Sequence, residues 1–269
     1  MRSAWIEEGC TPPQRDRVTQ RPGFAQQIAC DYSSLAMSDP YGAMLIDAVE
    51  RQAFEQEIIE RDDGFFDTST IDYYLAPFRR WDAVERRALR YVRGRVLDVG
   101  CGAGRVALEL QARGREVVAI DPSPGAVEVT RGRGVRDVRL MRLEDVDASL
   151  GGFGTVLMYG NNFGLLGSRS KARRLLRRLR PLAERIVAGS TDVSRTEDPL
   201  HLAYERRNRR RGRMPGQRRL RVRYRNLVSP WFDFLQVSPD EMSDLIDGTG
   251  WSVKRLFGDD GFYYVAVLA

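Results

Sequence analysis

The sequence predicts an α/β fold: a mostly parallel sheet flanked by helices, with an antiparallel hairpin at the C-terminus. Three observations predict it. From Arg95 onward, short β-branched runs alternate with segments of helical period, as β-α-β units require. One of those runs, Val96 to Val99, opens directly into a glycine-rich turn and then a helix. The last two apolar runs, Trp251 to Phe257 and Phe262 to Leu268, are separated only by Gly258, Asp259, Asp260 and Gly261, a loop suited to a hairpin.

Ahead of that core, residues 1–30 hold Pro12, Pro13, Pro22 and Gly23 with no apolar period, and read as a weakly ordered arm. Asp39 before Pro40 has the form of a helix cap and first-turn proline, so a helix is expected from there towards Glu60, stopped by Asp62, Asp63 and Gly64. Trp81, Val84, Ala88 and Tyr91 share one face at the helical period. Residues 31–94 are therefore expected to form an N-terminal helical cap.

Within residues 95–269, strands are expected at Val96 to Val99, Glu116 to Ile120, Val138 to Leu143, Thr155 to Tyr159 and Arg185 to Ala188. Ala172, Leu175, Leu176 and Leu179 mark an amphipathic helix closed by Pro181. Residues 195–237 read as an insertion. In it, Leu220, Val222 and Tyr224 alternate with Arg221, Arg223 and Arg225, and the run Trp231 to Val237 can pair with that strand as a β-hairpin. A last helix begins near Ser238 and Pro239 and ends at Gly248.

Composition narrows the class. A chain of 269 residues with 42% hydrophobic and 30% charged content can bury one sizeable core and is not a disordered tail. No apolar stretch approaches the roughly 20 residues a bilayer span needs. Glu7 and Glu8 interrupt the N-terminus where a secretory signal would be apolar, which leads us to expect a cytoplasmic protein. Cys10, Cys30 and Cys101 are odd in number and far apart, so neither a disulfide framework nor a metal site is suggested. The net charge of +6 comes almost wholly from arginine, since Lys171 and Lys254 are the only lysines, and charge alone selects no partner.

The chemistry concentrates in Val96-Leu97-Asp98-Val99-Gly100-Cys101-Gly102-Ala103-Gly104-Arg105. Glycines in such a turn let the backbone bend sharply and let a ligand approach the main chain. In an open parallel sheet the turn lies at the carboxyl end of its strand, where ligands bind. Asp121 ends the next strand, 23 residues after Asp98, where a carboxylate can accept both hydroxyls of a ribose. Pro122 follows it, and Ser123 with Pro124 then opens a helix. The looser dinucleotide pattern is also met by Gly102, Gly104 and Ala107, which leaves a dehydrogenase as a rival.

These residues resemble the class I S-adenosylmethionine-dependent methyltransferase family, whose first motif is an acidic residue followed by G-x-G-x-G, matched by Asp98, Gly100, Gly102 and Gly104. The resemblance extends over Asp121, over Glu144 and Asp145, and over Phe153 to Gly167, and it favours this family over a dehydrogenase. It implies a Rossmann-like sheet, S-adenosylmethionine as donor and S-adenosylhomocysteine as product. By the same resemblance, Gly100, Cys101, Gly102 and Gly104 line the methionine and ribose portions, and Asp121 with Pro122 and Ser123 holds the ribose. Glu144 or Asp145 then meets the adenine amino group with Val146 against the ring, and Tyr159, Gly160 and Asn161 flank the donor. Tyr73 and Tyr74 fall where such enzymes place a lid.

An activated sulfonium needs alignment and dryness more than a covalent residue. Asn161 or Asn162 can orient an amine or hydroxyl acceptor, Tyr159 can stack on it or share its proton, and His201, the sole histidine, can take that proton. The expected function is methylation of nitrogen or oxygen on a small metabolite, by a monomer or homodimer that engages no membrane. Methylation of RNA or protein through the arginine-rich stretch, and donor binding without catalysis, are the alternatives. Amino-methylating nucleic-acid enzymes carry Asn or Asp, two prolines and an aromatic after the fourth strand, and Tyr159-Gly160-Asn161-Asn162-Phe163 departs from that.

Overall fold

The computed structural model describes residues 39–258 and 261–269. The N-terminal arm, Cys10, Cys30, Asp259 and Asp260 lie outside the described residues.

In chain order the helices are α1 (Pro40–Arg51), α2 (Ile71–Leu75), α3 (Ala83–Ala88), α4 (Arg105–Ala112), α5 (Pro124–Gly132), α6 (Arg169–Leu179), α7 (Pro199–Arg210) and α8 (Pro239–Ile246). The strands are β1 (Gln56–Arg61), β2 (Phe66–Thr70), β3 (Val96–Val99), β4 (Val117–Asp121), β5 (Asp137–Leu140), β6 (Thr155–Met158), β7 (Ile186–Thr191), β8 (Gln217–Tyr224), β9 (Leu227–Val228), β10 (Phe232–Leu235), β11 (Val253–Gly258) and β12 (Tyr263–Leu268).

The larger sheet has seven strands in the order β11-β12-β7-β6-β3-β4-β5. β3 through β7 pair in parallel, and β12 and β11 close the edge antiparallel, as the alternating pattern and terminal hairpin predict. Side chains alternate across each strand, so β3 sends Leu97 and Val99 to one face, beside Leu175, Leu176 and Leu179 of α6. Val96 goes to the other face, with Trp81, Val84 and Ala88 of the α3 region and Val106 of α4. Both faces are dry, which explains why these strands read as continuous apolar runs. Truncating a fully buried side chain such as Leu176 to Ala costs roughly 2–5 kcal/mol.

The cap is only partly helical. α1 is capped as expected, with Asp39 accepting from the Gly42 amide at 2.9 Å, but it stops at Arg51, followed by Gln52 in the left-handed region at φ 51°. Gln56–Arg61 and Phe66–Thr70 are strands of a hairpin, where the sequence suggested helix running on to Glu60. The reason is a distant partner. β1 pairs antiparallel with β8 of the insertion, and Arg221 and Arg223 both reach Glu60 across that register, a contact spanning more than 160 positions that no local period reveals.

The insertion hairpin forms as predicted, β10 on β8, but it is not free-standing. Together β10-β8-β1-β2, with β9 on β8, make a second sheet from two remote segments of the chain. We call it the roof sheet. Its apolar and charged inner face carries Glu57, Ile59 and Arg61 of β1, Arg218, Leu220 and Val222 of β8, and Phe234 of β10, since directly paired residues share a face.

Candidate active site

The turn after β3 holds Gly100, Gly102 and Gly104 at φ 69°, 57° and 76°, a region that any side chain makes costly. Asn162 fixes the entrance of the turn: its side-chain amide donates to the carbonyls of Val99 and Gly100 at 2.8 and 2.9 Å. Thr130 of α5 donates to the Gly102 carbonyl at 2.6 Å. The Cys101 side chain is buried under the turn, so that residue offers the site only its backbone.

Asp121, at the end of β4, is 5% exposed and accepts from the Gly102 amide at 3.0 Å and the Ser123 amide at 2.9 Å. Burial raises its pKa to about 6, against the lowering effect of those two amides. Ser123 caps α5 by accepting from Ala126 at 3.0 Å and donates to Asp39 at 2.8 Å, while Pro122 is exposed beside it. Asp39 therefore joins α1 to α5 at the carboxylate that the resemblance assigns to the ribose. Sequence reasoning saw Asp39 only as a cap.

Aromatic rings cover the turn. A β-carbon on Gly102 would lie 2.5 Å from the hydroxyl of Tyr41 and 3.7 Å from the Tyr74 ring. Tyr41 and Tyr74 meet edge to face at 5.3 Å, and Tyr74 meets Tyr73 at 5.5 Å. Tyr74 donates to Glu57 at 2.5 Å. Glu57, on the inner roof face, is 2% exposed, its second carboxyl oxygen is buried without a partner, and burial raises its pKa to about 7. Glu57 was not anticipated because β1 was read as helix, and Tyr41 because no local pattern ties α1 to the glycine turn.

On the other side of the turn lies a buried ionic cluster that also escaped the sequence reading. Glu85 of α3 is fully buried and accepts from Arg105 at 2.9 and 3.1 Å, from Tyr263 at 3.0 Å and from the Gly160 amide at 3.1 Å. Arg105 also donates to Tyr73 at 3.0 Å. Two signals pointed here. Glu85 stands four residues from Trp81 on an otherwise apolar helix face, and Arg105 puts a cation at a helix N-terminus, where the dipole disfavours it. Asp98, 3% exposed, has one carboxyl oxygen without a partner, and burial raises its pKa to about 7.

The remaining expected residues divide. Asn161 takes a left-handed φ of 67° and accepts from Thr191 at 2.8 Å, which holds the turn after β6 against β7. Tyr159 is 3% exposed and donates to the Glu85 carbonyl at 3.0 Å, inside the core cluster around Trp81. Its hydroxyl is thereby committed to α3, and the stacking role expected for it finds no support in this geometry. Glu144 pairs with Lys171 at 2.5 Å, so Asp145, exposed and without such a partner among the described residues, is the freer carboxylate. Val146 is buried in the core beneath.

His201 lies on α7, against the β1–β2 turn: its Nδ1 stands 2.9 Å from the Arg61 guanidinium, and its ring meets Phe65 at 4.7 Å. An arginine can only donate, so Nδ1 accepts and the ring proton resides on Nε2. Burial first, then Arg218 and Arg61, lower its pKa. With its lone pair taken, His201 is a hydrogen-bond donor in this state and the general-base role expected for it has no free lone pair.

A parallel sheet of this strand order, with a glycine turn after its central strand, a carboxylate ending the next and an antiparallel edge hairpin, defines the class I methyltransferase architecture. A family model described as "Methyltransferase domain" matches residues 96–183. Residues 96–183 carry this methyltransferase domain, within a fold of the class I S-adenosylmethionine-dependent kind. The chain is similar over 87% of its length to a SAM-dependent methyltransferase from Bacteroides fragilis, solved with S-adenosyl-L-homocysteine, at 28% identity, 95% coverage of that chain and a TM-score of 0.75. It is 38% identical over 79 residues to a ubiquinone biosynthesis O-methyltransferase of Methylocella silvestris, across 27% of this chain and 31% of that protein. A ubiquinone biosynthesis O-methyltransferase of Xanthomonas oryzae pv. oryzae is 34% identical over 107 residues, across 32% of this chain and 45% of that protein. The chain thus matches less than half the length of these curated relatives.

The residues fit the donor. Gly102 lies under the Tyr41 and Tyr74 rings, Asp121 is a buried acceptor at the position the resemblance assigns to the ribose, and the unpartnered oxygen of Asp98 is an unmet acceptor at the base of the same turn.

Proposed function

We propose that this protein transfers a methyl group from S-adenosylmethionine to nitrogen or oxygen of a small molecule, held between the glycine turn and the inner face of the roof sheet. One observation carries the reading. The chain builds that face from its cap and its insertion, and Glu57 on it bonds Tyr74, whose ring lies against Gly102, which supports an acceptor held under the roof next to the donor turn. When bound, S-adenosylmethionine supplies an electrophilic methyl on a sulfonium, and its departure leaves the neutral thioether of S-adenosylhomocysteine.

This chain's residues do the rest. Asp121 accepts the ribose hydroxyls, Asp145 offers an acceptor towards the adenine amino group, and Tyr41 and Tyr74 exclude water over Gly102. Asn162 keeps the turn in register by its two bonds to Val99 and Gly100. Glu57 takes the acceptor's proton on its unpartnered oxygen, since a carboxylate of pKa about 7 is suited to a base near neutral pH.

The arginine-rich strand gives little support to an RNA or protein substrate. On the outer roof face Arg221 and Arg223 pair with Glu60, and Arg225 pairs with Asp47 and Glu55, so much of the positive charge is neutralised within the fold. Mass spectrometry of reactions containing donor and a panel of amine and hydroxyl metabolites tests the proposal. A mass gain of one methyl on a small acceptor, with S-adenosylhomocysteine formed in step, supports it. Methylation of RNA or protein alone in the same assay overturns it.

A further inference from the structure

Two arginines project from the inner face of the roof sheet, and they differ in how their charge is met. Arg61 has a side chain 1% exposed and every group engaged: both oxygens of Asp63 at 2.7 and 2.9 Å, Nδ1 of His201 at 2.9 Å, and the rings of Phe65 and Tyr204 at 4.6 and 4.3 Å on its guanidinium. Arg218 is largely withdrawn from water, yet among the described residues it makes no hydrogen bond, ion pair or ring contact. Burial, and the like charge of Arg61, lower its pKa to about 10; Glu205 and Asp67 act on it, but from beyond ion-pair distance. A desolvated guanidinium without a counter-charge is costly unless an anion joins it.

Its position gives that anion a purpose. Arg218 lies directly opposite Phe234 in the β8–β10 register, so the two side chains share the inner face. Phe234 packs onto Gly164, where an added β-carbon would collide with its ring, and Gly164 follows Asn162 by two residues in the segment after β6. Arg218 is thus a neighbour of the ring that covers the segment after β6, whose Asn162 holds the glycine turn. His201 is within electrostatic reach of Arg218, and its proton is confined to Nε2 because Arg61 occupies Nδ1. A guanidinium fork beside an imidazole N–H matches a carboxylate or a phosphate.

We propose that Arg218, assisted by His201, is the binding site for an oxyanion, carboxylate or phosphate, carried by the methyl acceptor, so that the substrate is an acid whose anionic end is anchored under the roof at Arg218. The proposal rests on the methyl-transfer reading above. It gives His201 a positioning role and uses the one inner-face cation that the fold leaves unmatched.

The test separates the two readings. Wild type, R218Q, R218K and E205Q are each titrated calorimetrically with S-adenosylhomocysteine, and each is then melted with and without the donor product over a series of inorganic phosphate and of acetate, chloride replacing the anion at constant ionic strength. Wild type is expected to gain thermal stability with phosphate or acetate, whichever geometry fits better, and R218Q to need at least about tenfold more anion for the same gain, as loss of a charge-assisted bond implies. R218K keeps part of the response, and donor-product affinity stays within about twofold in all four. In turnover, free acids are methylated in preference to their methyl esters by wild type, and R218Q narrows that preference chiefly through KM. An anion response in R218Q equal to wild type overturns the proposal, and so does equal destabilisation of R218Q and E205Q with no anion response in wild type, which would make Arg218 simply the counter-ion of Glu205. Failure of wild type to bind S-adenosylhomocysteine would instead defeat the methyl-transfer reading.

Discussion

Glu57 accepts a 2.5 Å hydrogen bond from Tyr74, and the Tyr74 ring lies against Gly102, so a carboxylate on the roof sheet is one side chain away from the glycine turn. β1 and the turn after β3 are packed into register by this contact. It joins the proton chemistry proposed for the acceptor to the donor site.

Replacing Glu57 with Gln is expected to lower kcat by about 10²–10⁴-fold while leaving S-adenosylhomocysteine affinity unchanged, the scale of a lost general base. In wild type the rate rises with pH as Glu57 ionises near pH 7. The bond from Tyr74 lowers that pKa, so Y74F moves the rising limb to higher pH. Steady-state pH profiles of the three proteins check both effects. An unchanged profile in E57Q removes Glu57 from the chemistry.

Asp121 must be ionised to accept two ribose hydroxyls, and burial raises its pKa to about 6. Donor affinity is therefore expected to tighten as pH rises from 5 to 7. In the ligand-free protein the sign is reversed: a pKa raised above its unfolded value favours the fold at low pH, and that contribution is lost as pH climbs through about 6. D121N should flatten both trends and weaken binding by about 10- to 100-fold, since bonds to a charged acceptor contribute roughly 1.5–3 kcal/mol. Calorimetry across the pH range checks this.

Asn162 donates to two carbonyls at the entrance of the turn. N162A should destabilise the protein by roughly 1–3 kcal/mol and loosen donor binding, because those buried acceptors lose their partner. N162D should be worse than N162A, since it sets a carboxylate against two carbonyl oxygens. Denaturant midpoints rank the variants; an N162D at least as stable as N162A would show that the amide does not carry the turn.

The Glu85–Arg105 pair is buried on both sides, with side chains 1% and 7% exposed. Removing one charge leaves the other unmatched, so E85A should cost roughly 3–5 kcal/mol. A double replacement by Met at both positions should recover much of that loss. Urea unfolding of the single and double variants tests the coupling.

Much of the donor half was legible in the sequence, because its signals are local. A strand, a glycine turn and a capped helix lie within a dozen residues, and Asp121 closes the next unit at a fixed spacing. Glu85 and Arg105 were legible in principle, as charges set against an apolar face and a helix dipole. The roof was not. Gln56–Arg61 has no period that distinguishes helix from strand, and its pairing partner is β8, far along the chain. Missing that pairing hid Glu57 and Arg61, and left His201 judged by residue type alone, when the lone pair that would make it a base is held by Arg61. Tyr159 failed for a related reason: a residue at the end of a central strand faces either the site or the core, and only the position of α3 shows that it faces the core.

The account stands on donor binding at the Gly100–Gly104 turn, and calorimetric titration of the purified protein with S-adenosylhomocysteine and S-adenosylmethionine tests that most directly. We expect saturable binding of both, with affinity on the order of micromolar to a few hundred micromolar, sharply reduced in D121N. No heat from either compound, together with tight binding of a nicotinamide dinucleotide, would contradict it.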